Sequence, residues 1–158
     1  MGAAQFVVPV AVGTVAVTAV SVAVSRTPAK AAAQSVLILS SSVNGGTSSA
    51  EAKAVPSGDT VTVMDPNQWD GLSTAAFHQY SLIVIGDPST PGSSCASSLP
   101  TGAATDAATW GAAVNGNVAV VGTAPVYGGS AGAALISDGI AYALQGASDG
   151  NVTGLYMS

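Results

Sequence analysis

The residues able to do chemistry in this chain are few, and they fall in short loops rich in glycine, serine and threonine. Ser42, Asn44, Gly45 and Thr47 belong to the segment SVNGGT. Such a small-residue turn can present hydroxyls and backbone N–H groups to an anion at a helix start. The same residue types also make an ordinary turn and helix cap, which is their commoner use. A second loop opens with Gly86-Asp87-Pro88 and contains Cys95, the only cysteine. A nucleophilic cysteine belongs on a sharp strand-to-helix elbow flanked by glycine, whereas Cys95 lies within SSCAS. His78, the only histidine, comes earlier, beside Phe77 and Tyr80, and makes a poor dyad with it. A disulfide partner outside this chain is the expectation for Cys95, and Cys95→Ser is expected to leave any activity intact. A third loop, residues 122–130 (GTAPVYGGS), holds Tyr127 and a Gly128-Gly129-Ser130 helix start. The carboxylates are scattered and show no metal-ligand spacing with the single His and Cys. Asp65, Asp87 and Asp106 are placed to reach one sheet edge, yet spacing alone pairs no two of them. Asn151-Val152-Thr153 is the only glycosylation sequon.

These loops are positioned by a regular alternation that begins after residue 34. Five β-branched runs read as strands: residues 35–40 (SVLILS), 60–64 (TVTVM), 81–86 (SLIVIG), 117–122 (NVAVVG) and 152–157 (VTGLYM). Between them lie helical candidates at residues 48–55, 67–80, 103–114 and 130–145, the pattern of crossover connections in a parallel α/β sheet. The third run is almost purely apolar, as a central strand covered on both faces requires. Trp69, Leu72, Ala76, Phe77 and Tyr80 recur at helical spacing, as do Leu135, Ile136, Ile140, Ala143 and Leu144. The fold predicted is a three-layer α/β sandwich with a largely parallel five-stranded sheet. Ligands of such sheets sit outside the carboxyl ends of the strands, so the three loops above are the candidate sites.

Composition narrows the function. Of the 158 residues, 48% are hydrophobic and only 7% charged, so most of the chain should fold rather than remain disordered. With Arg26, Lys30 and Lys53 as its only Lys and Arg residues, it cannot neutralise a phosphate backbone, which excludes nucleic acid as a partner. Residues 6–24 form an uncharged apolar run, followed by Ala-Lys-Ala and Ala-Ala-Ala sites at residues 29–33. That order reads as a secretory signal in residues 1–33, ahead of an α/β domain in residues 34–158. A mature protein beginning between residues 30 and 35 is expected. The basic residues follow the apolar run rather than precede it, which leaves a retained membrane anchor through residues 6–24 as the alternative. Cleavage leaves Lys53 against eight acids, an acidic exported domain.

Two resemblances follow from these residues. Ser42, Gly45 and Thr47 resemble the phosphate loop of flavodoxins, with Asn44 in place of a hydroxyl residue. That resemblance implies FMN as a cofactor, with Tyr127 the one aromatic wall available. Residues 36–42 (VLILSSS), Trp69, residues 77–88 (FHQYSLIVIGDP), Thr109-Trp110-Gly111, residues 117–125 (NVAVVGTAP) and Gly154-Leu155-Tyr156 resemble a family of exported bacterial domains. Those domains have a class I glutamine amidotransferase-like fold. The resemblance covers residues 35–158 and implies a flavodoxin-like sheet in a domain that continues beyond Ser158. True amidotransferases use a cysteine elbow and a later His-x-Glu, and this sequence has neither, so their activity is not carried over. The expectation is therefore a non-catalytic, secreted or cell-surface domain, without cofactor or metal, recognising a protein or surface polymer. Its rivals are a binder of a phosphate-bearing cofactor and the N-terminal part of an amidotransferase-like hydrolase.

Overall fold

Five parallel strands form one sheet, in which the second, first, third, fifth and fourth strands of the chain lie side by side in that order. The computed structural model describes residues 32–88, 98–147 and 151–158. The apolar run at residues 6–24 and Cys95 lie outside them. The strands are β1 (Ser35–Leu39), β2 (Thr60–Met64), β3 (Leu82–Ile85), β4 (Val118–Val120) and β5 (Gly154–Met157). The helices are α1 (Ala50–Ala54), α2 (Pro66–Asp70), α3 (Thr74–Phe77), α4 (Ala107–Ala113) and α5 (Gly129–Leu144). The predicted α/β sandwich is therefore the observed fold class, with every strand in its expected place.

Alternation along the strands divides the core in two. Val36, Ile38, Leu82, Val84 and Tyr156 face α1 and α5, where Ile136, Ile140 and Ala143 meet them. Leu37, Leu39, Ile83, Ile85 and Leu155 face the opposite layer, closed by Trp69, Phe77, Trp110 and Ala113 of α2, α3 and α4. Trp69 and Phe77 meet edge to face with ring centroids 4.9 Å apart, a geometry aromatic quadrupoles favour. All four residues of β3 are buried, as the apolar run predicts.

Crossover handedness explains which helix lies on which face. A right-handed connection that reverses its direction along the sheet must change faces. The chain moves from β1 to β2 through α1, then back across the sheet to β3 and onward to β4 through α2, α3 and α4. It reverses again from β4 to β5 through α5, which rejoins the face of α1. The β2-β1-β3 half has the flavodoxin order, while β5 inserts between β3 and β4, where a flavodoxin sheet would continue outward.

Two local expectations change. The helix predicted over residues 67–80 is two helices, because Ser73 caps a new start by accepting from Ala76 N–H at 3.2 Å. Asp65 caps α2, accepting from the Asn67 and Gln68 amides, with Gln68 completing a capping box. Leu135, expected on the buried stripe of α5, is 43% exposed. The stripe runs instead through Gly132, Ile136, Ile140 and Ala143. Gly132 sits so close to the Pro125 carbonyl that a side chain there would overlap it.

Candidate functional site

The carboxyl edge of the sheet is shaped by the routes its strands take away from it. The chain leaves β1 toward the α1 face and leaves the adjacent β3 toward the α4 face, which opens a switch-point crevice. It leaves β4 toward the α5 face, so β3 and β4 also diverge, with the end of β5 between them. A cleft of about 420 Å³ lies there, lined by residues 85–88, 98–100, 120–123 and 157–158. Its volume falls in the range of small-molecule sites. Leu99, Val120, Met157 and two prolines supply apolar wall, and Asp87, Thr123 and Ser158 supply polar groups.

Ser42 shapes the adjoining crevice from within. Its buried hydroxyl donates to the Leu39 carbonyl at 2.8 Å and accepts from the Gly86 amide at 2.9 Å. The ends of β1 and β3 are thus tied by one side chain. Gly86 is fitted just as closely: a β-carbon there would stand 2.7 Å from the Ser42 carbonyl oxygen and 2.8 Å from Glu51 Oε1. Glycine is required by this close approach, not by a turn.

Glu51 is the least expected member of the site. It lies in the first turn of α1, only 1% exposed. Its own backbone amide and the Ser49 hydroxyl hydrogen-bond to the carboxyl group, while Oε1 has no partner. Burial pushes its pKa above the usual carboxylate range against those two hydrogen bonds, and the charge of Asp87 pushes the same way. Tyr156 of β5 is fully buried, with its hydroxyl beside the Ser158 hydroxyl. Burial raises the Tyr156 pKa, Ser158 nearby lowers it, and Glu51 adds a smaller upward push. Tyr127 stands 43% exposed at the Pro125–Tyr127 turn. Its hydroxyl is raised first by desolvation and then by Asp87.

The sequence-derived site residues fall into two groups. Asp87 lines the cleft, and Tyr127 is near enough to feel its charge. Ser42 faces inward, whereas Asn44, Gly45 and Thr47 are exposed. Asn44 Nδ2 donates to the Pro88 carbonyl at 3.0 Å, linking this loop to the Asp87 segment. Gly45 and Gly46 have φ of +96° and +56°, which the turn requires. Asp65 serves as a helix cap, and Asp106 flanks α4 with a buried, unpartnered Oδ2. His78 caps α3 at the opposite, amino edge of the sheet, where the neighbouring Gln79 carbonyl accepts from Ser35 Oγ at the start of β1. The sequon residue Asn151 is exposed, while Thr153 is buried with its hydroxyl donating to the Tyr80 carbonyl. Among the described residues, no three His, Cys, Asp or Glu side chains gather as metal ligands.

Glu51, Tyr156 and Ser158 were not expected at the site. A glutamate in a first helical turn ordinarily faces water and favours the helix dipole. Only the close approach of Gly86 reveals its burial. No family model matches the chain, and neither a curated protein nor a solved structure matches it.

Proposed function

We propose that this chain is a non-catalytic recognition domain whose ligand seat is the carboxyl-edge cleft over β5. The observation supporting this reading is the character of that cleft. Apolar wall from Leu99, Val120 and Met157 surrounds a few polar groups at a strand divergence, which is the composition of a binding site. The only imidazole of the chain stands at the far edge of the sheet. The Gly122-Thr123 turn at the end of β4 offers a glycine and an exposed threonine.

We place the domain on the exported side of the cell, as a secreted or surface-attached protein. The apolar run and small-residue sites of residues 6–33 support that location, and the parallel sheet is compatible with the exported amidotransferase-like domains it resembles. Edman sequencing of exported material should begin between residues 30 and 35; an intact Met1 would favour a retained anchor.

The test of the non-catalytic reading is compound recovery. The full chain is incubated at stoichiometric concentration with each compound it binds, and the mixture is followed by mass spectrometry. Every ligand should return unchanged. Conversion that is lost in Asp87→Asn or Cys95→Ser would contradict the proposal. So would co-purification of a yellow flavin.

A further inference from the structure

We propose that β4 is an interface between two copies of this chain, which pair antiparallel about Ala119 so that their sheets run on as one. The first support is the backbone of the strand. The Asn117 carbonyl accepts from the Leu155 amide at 2.9 Å, and the Val121 amide donates to the Met157 carbonyl at 2.8 Å. Asn117, Ala119 and Val121 are therefore turned toward β5. A parallel ladder then leaves the N–H and C=O groups of Val118 and Val120 on the outer side, and no strand lies beyond β4 among the described residues. Edges of this kind are ordinarily guarded by a charge or a proline. Residues 115–124 contain neither.

The second support is apolar surface in both layers along that edge. Val118 and Val120 stand beside Leu155 and Met157 in register, on the α4 side of the sheet, yet remain 46% and 67% exposed. On the other side, Leu135 and Tyr142 of α5 are 43% and 49% exposed. They share a helical row with Gly139, where a β-carbon would stand 3.8 Å from the Ala119 side chain. Asn117 Nδ2 donates to the Tyr142 carbonyl at 3.0 Å, which holds this row along β4. The opposite border of the sheet differs: β2 carries Thr60 and Thr62 and no large exposed apolar side chain.

A second copy fits this edge better than an added peptide strand. A lone strand would pair with the backbone and leave Leu135 and Tyr142 bare in the helix layer. Another copy brings a strand and a helix together. The register is also self-complementary. With the two-fold axis at Ala119, Val118 of each copy faces Val120 of the other as a hydrogen-bonded pair, and alanine meets alanine between the two α5 helices. At these exposures the four side chains uncover roughly 350 Å² per copy, near half of what each partner of a standard interface buries. The strand backbone and Ala131, exposed one turn before Leu135, add to it. That area suits a reversible dimer, and joining like edges closes the assembly at two. Val120 also lines the cleft, so the second copy's Val118 extends its apolar wall. The pairing itself does not depend on what the cleft binds.

The experiment is sedimentation velocity of the full chain, from about 1 µM to about 1 mM, joined to amide hydrogen exchange at both ends of that range. A reversible monomer–dimer equilibrium is expected, with a Kd of roughly 10–100 µM. Exchange at the Val118 and Val120 amides should slow severalfold at the high concentration. Val120→Lys, at an exposed position, should weaken the dimer at least about tenfold by placing a charge on the edge. Thr60→Lys, on the opposite border, should leave it unchanged. Should Val120→Lys unfold, the concentration dependence of exchange in the unaltered chain still decides. A dimer that survives Val120→Lys overturns the proposal, since another surface then joins the copies. So does a dimer lost in Thr60→Lys, or association that continues past two copies. Absence of association up to millimolar concentration, or a dimer whose Val118 and Val120 amides exchange as in the monomer, overturns it outright. None of these outcomes bears on the recognition reading, which compound recovery judges separately.

Discussion

Ser42 and Gly86 show how much of this site rests on single atoms. Replacing Ser42 with alanine leaves the buried Gly86 amide without its acceptor. The expected cost is about 1–3 kcal/mol, the penalty of an orphaned buried donor, read as a lower urea midpoint. Gly86→Ala drives a methyl group onto the Ser42 backbone carbonyl, Glu51 Oε1 and Val43. One of these neighbours is backbone and cannot swing away, so a loss of about 1–3 kcal/mol is expected from overpacking. Glu51 gives a prediction in pH. Its folded pKa is raised by burial, with Asp87 adding and Ser49 and its own amide opposing. The folded state therefore holds this proton more tightly than the unfolded chain. Its contribution to stability is complete below the ordinary value of 4.5 and is lost as pH rises toward the folded pKa. Denaturation midpoints taken upward from pH 4.5 should fall, and Glu51→Gln should flatten that decline. The groups facing Glu51 are Asp87 and Tyr156, and Tyr156, itself raised, stays neutral over that range. An unchanged slope in Glu51→Gln would show that another group carries the titration.

The elements were legible wherever apolar periodicity was long or continuous. β3 announces itself through an unbroken apolar run, and α5 through sixteen residues with two buried isoleucines one turn apart. Leu135 misled because it adjoins Ile136 in sequence, and a helix separates neighbours by about 100°. The stripe is set instead by Gly132, whose contact with the Pro125 carbonyl fixes the rotation of the helix. Ile140→Ala should cost about 2–5 kcal/mol through an unfilled cavity. Leu135→Glu should stay within about 0.5 kcal/mol, as for other exposed positions. Similar losses for both, measured by urea denaturation, would contradict this rotation. The split between α2 and α3 was hidden because the apolar spacing continues across it, while the Ser73 cap that restarts the helix is a local device. Asp87 was legible as a strand-end carboxylate. Glu51, Tyr156 and Ser158 were not, because their convergence depends on β5 lying beside β3, an order that local pattern does not specify.

At the scale of the molecule, the insertion of β5 between β3 and β4 has two consequences. It places Tyr156 and Ser158 at the carboxyl edge between β3 and β4, and it leaves β4 at the border with Val118 and Val120 exposed. The cleft then follows from topology: the connections of β3 and β4 diverge, and the end of β5 lies between them. The most direct test is a fragment screen of the full chain, with each hit mapped by backbone amide shifts and no preference imposed on ligand charge. The account predicts that hits converge on residues 85–88, 120–123 and 157–158. Hits gathering instead on the exposed loop of Asn44, Gly45 and Thr47, or scattering without a common site, would contradict it.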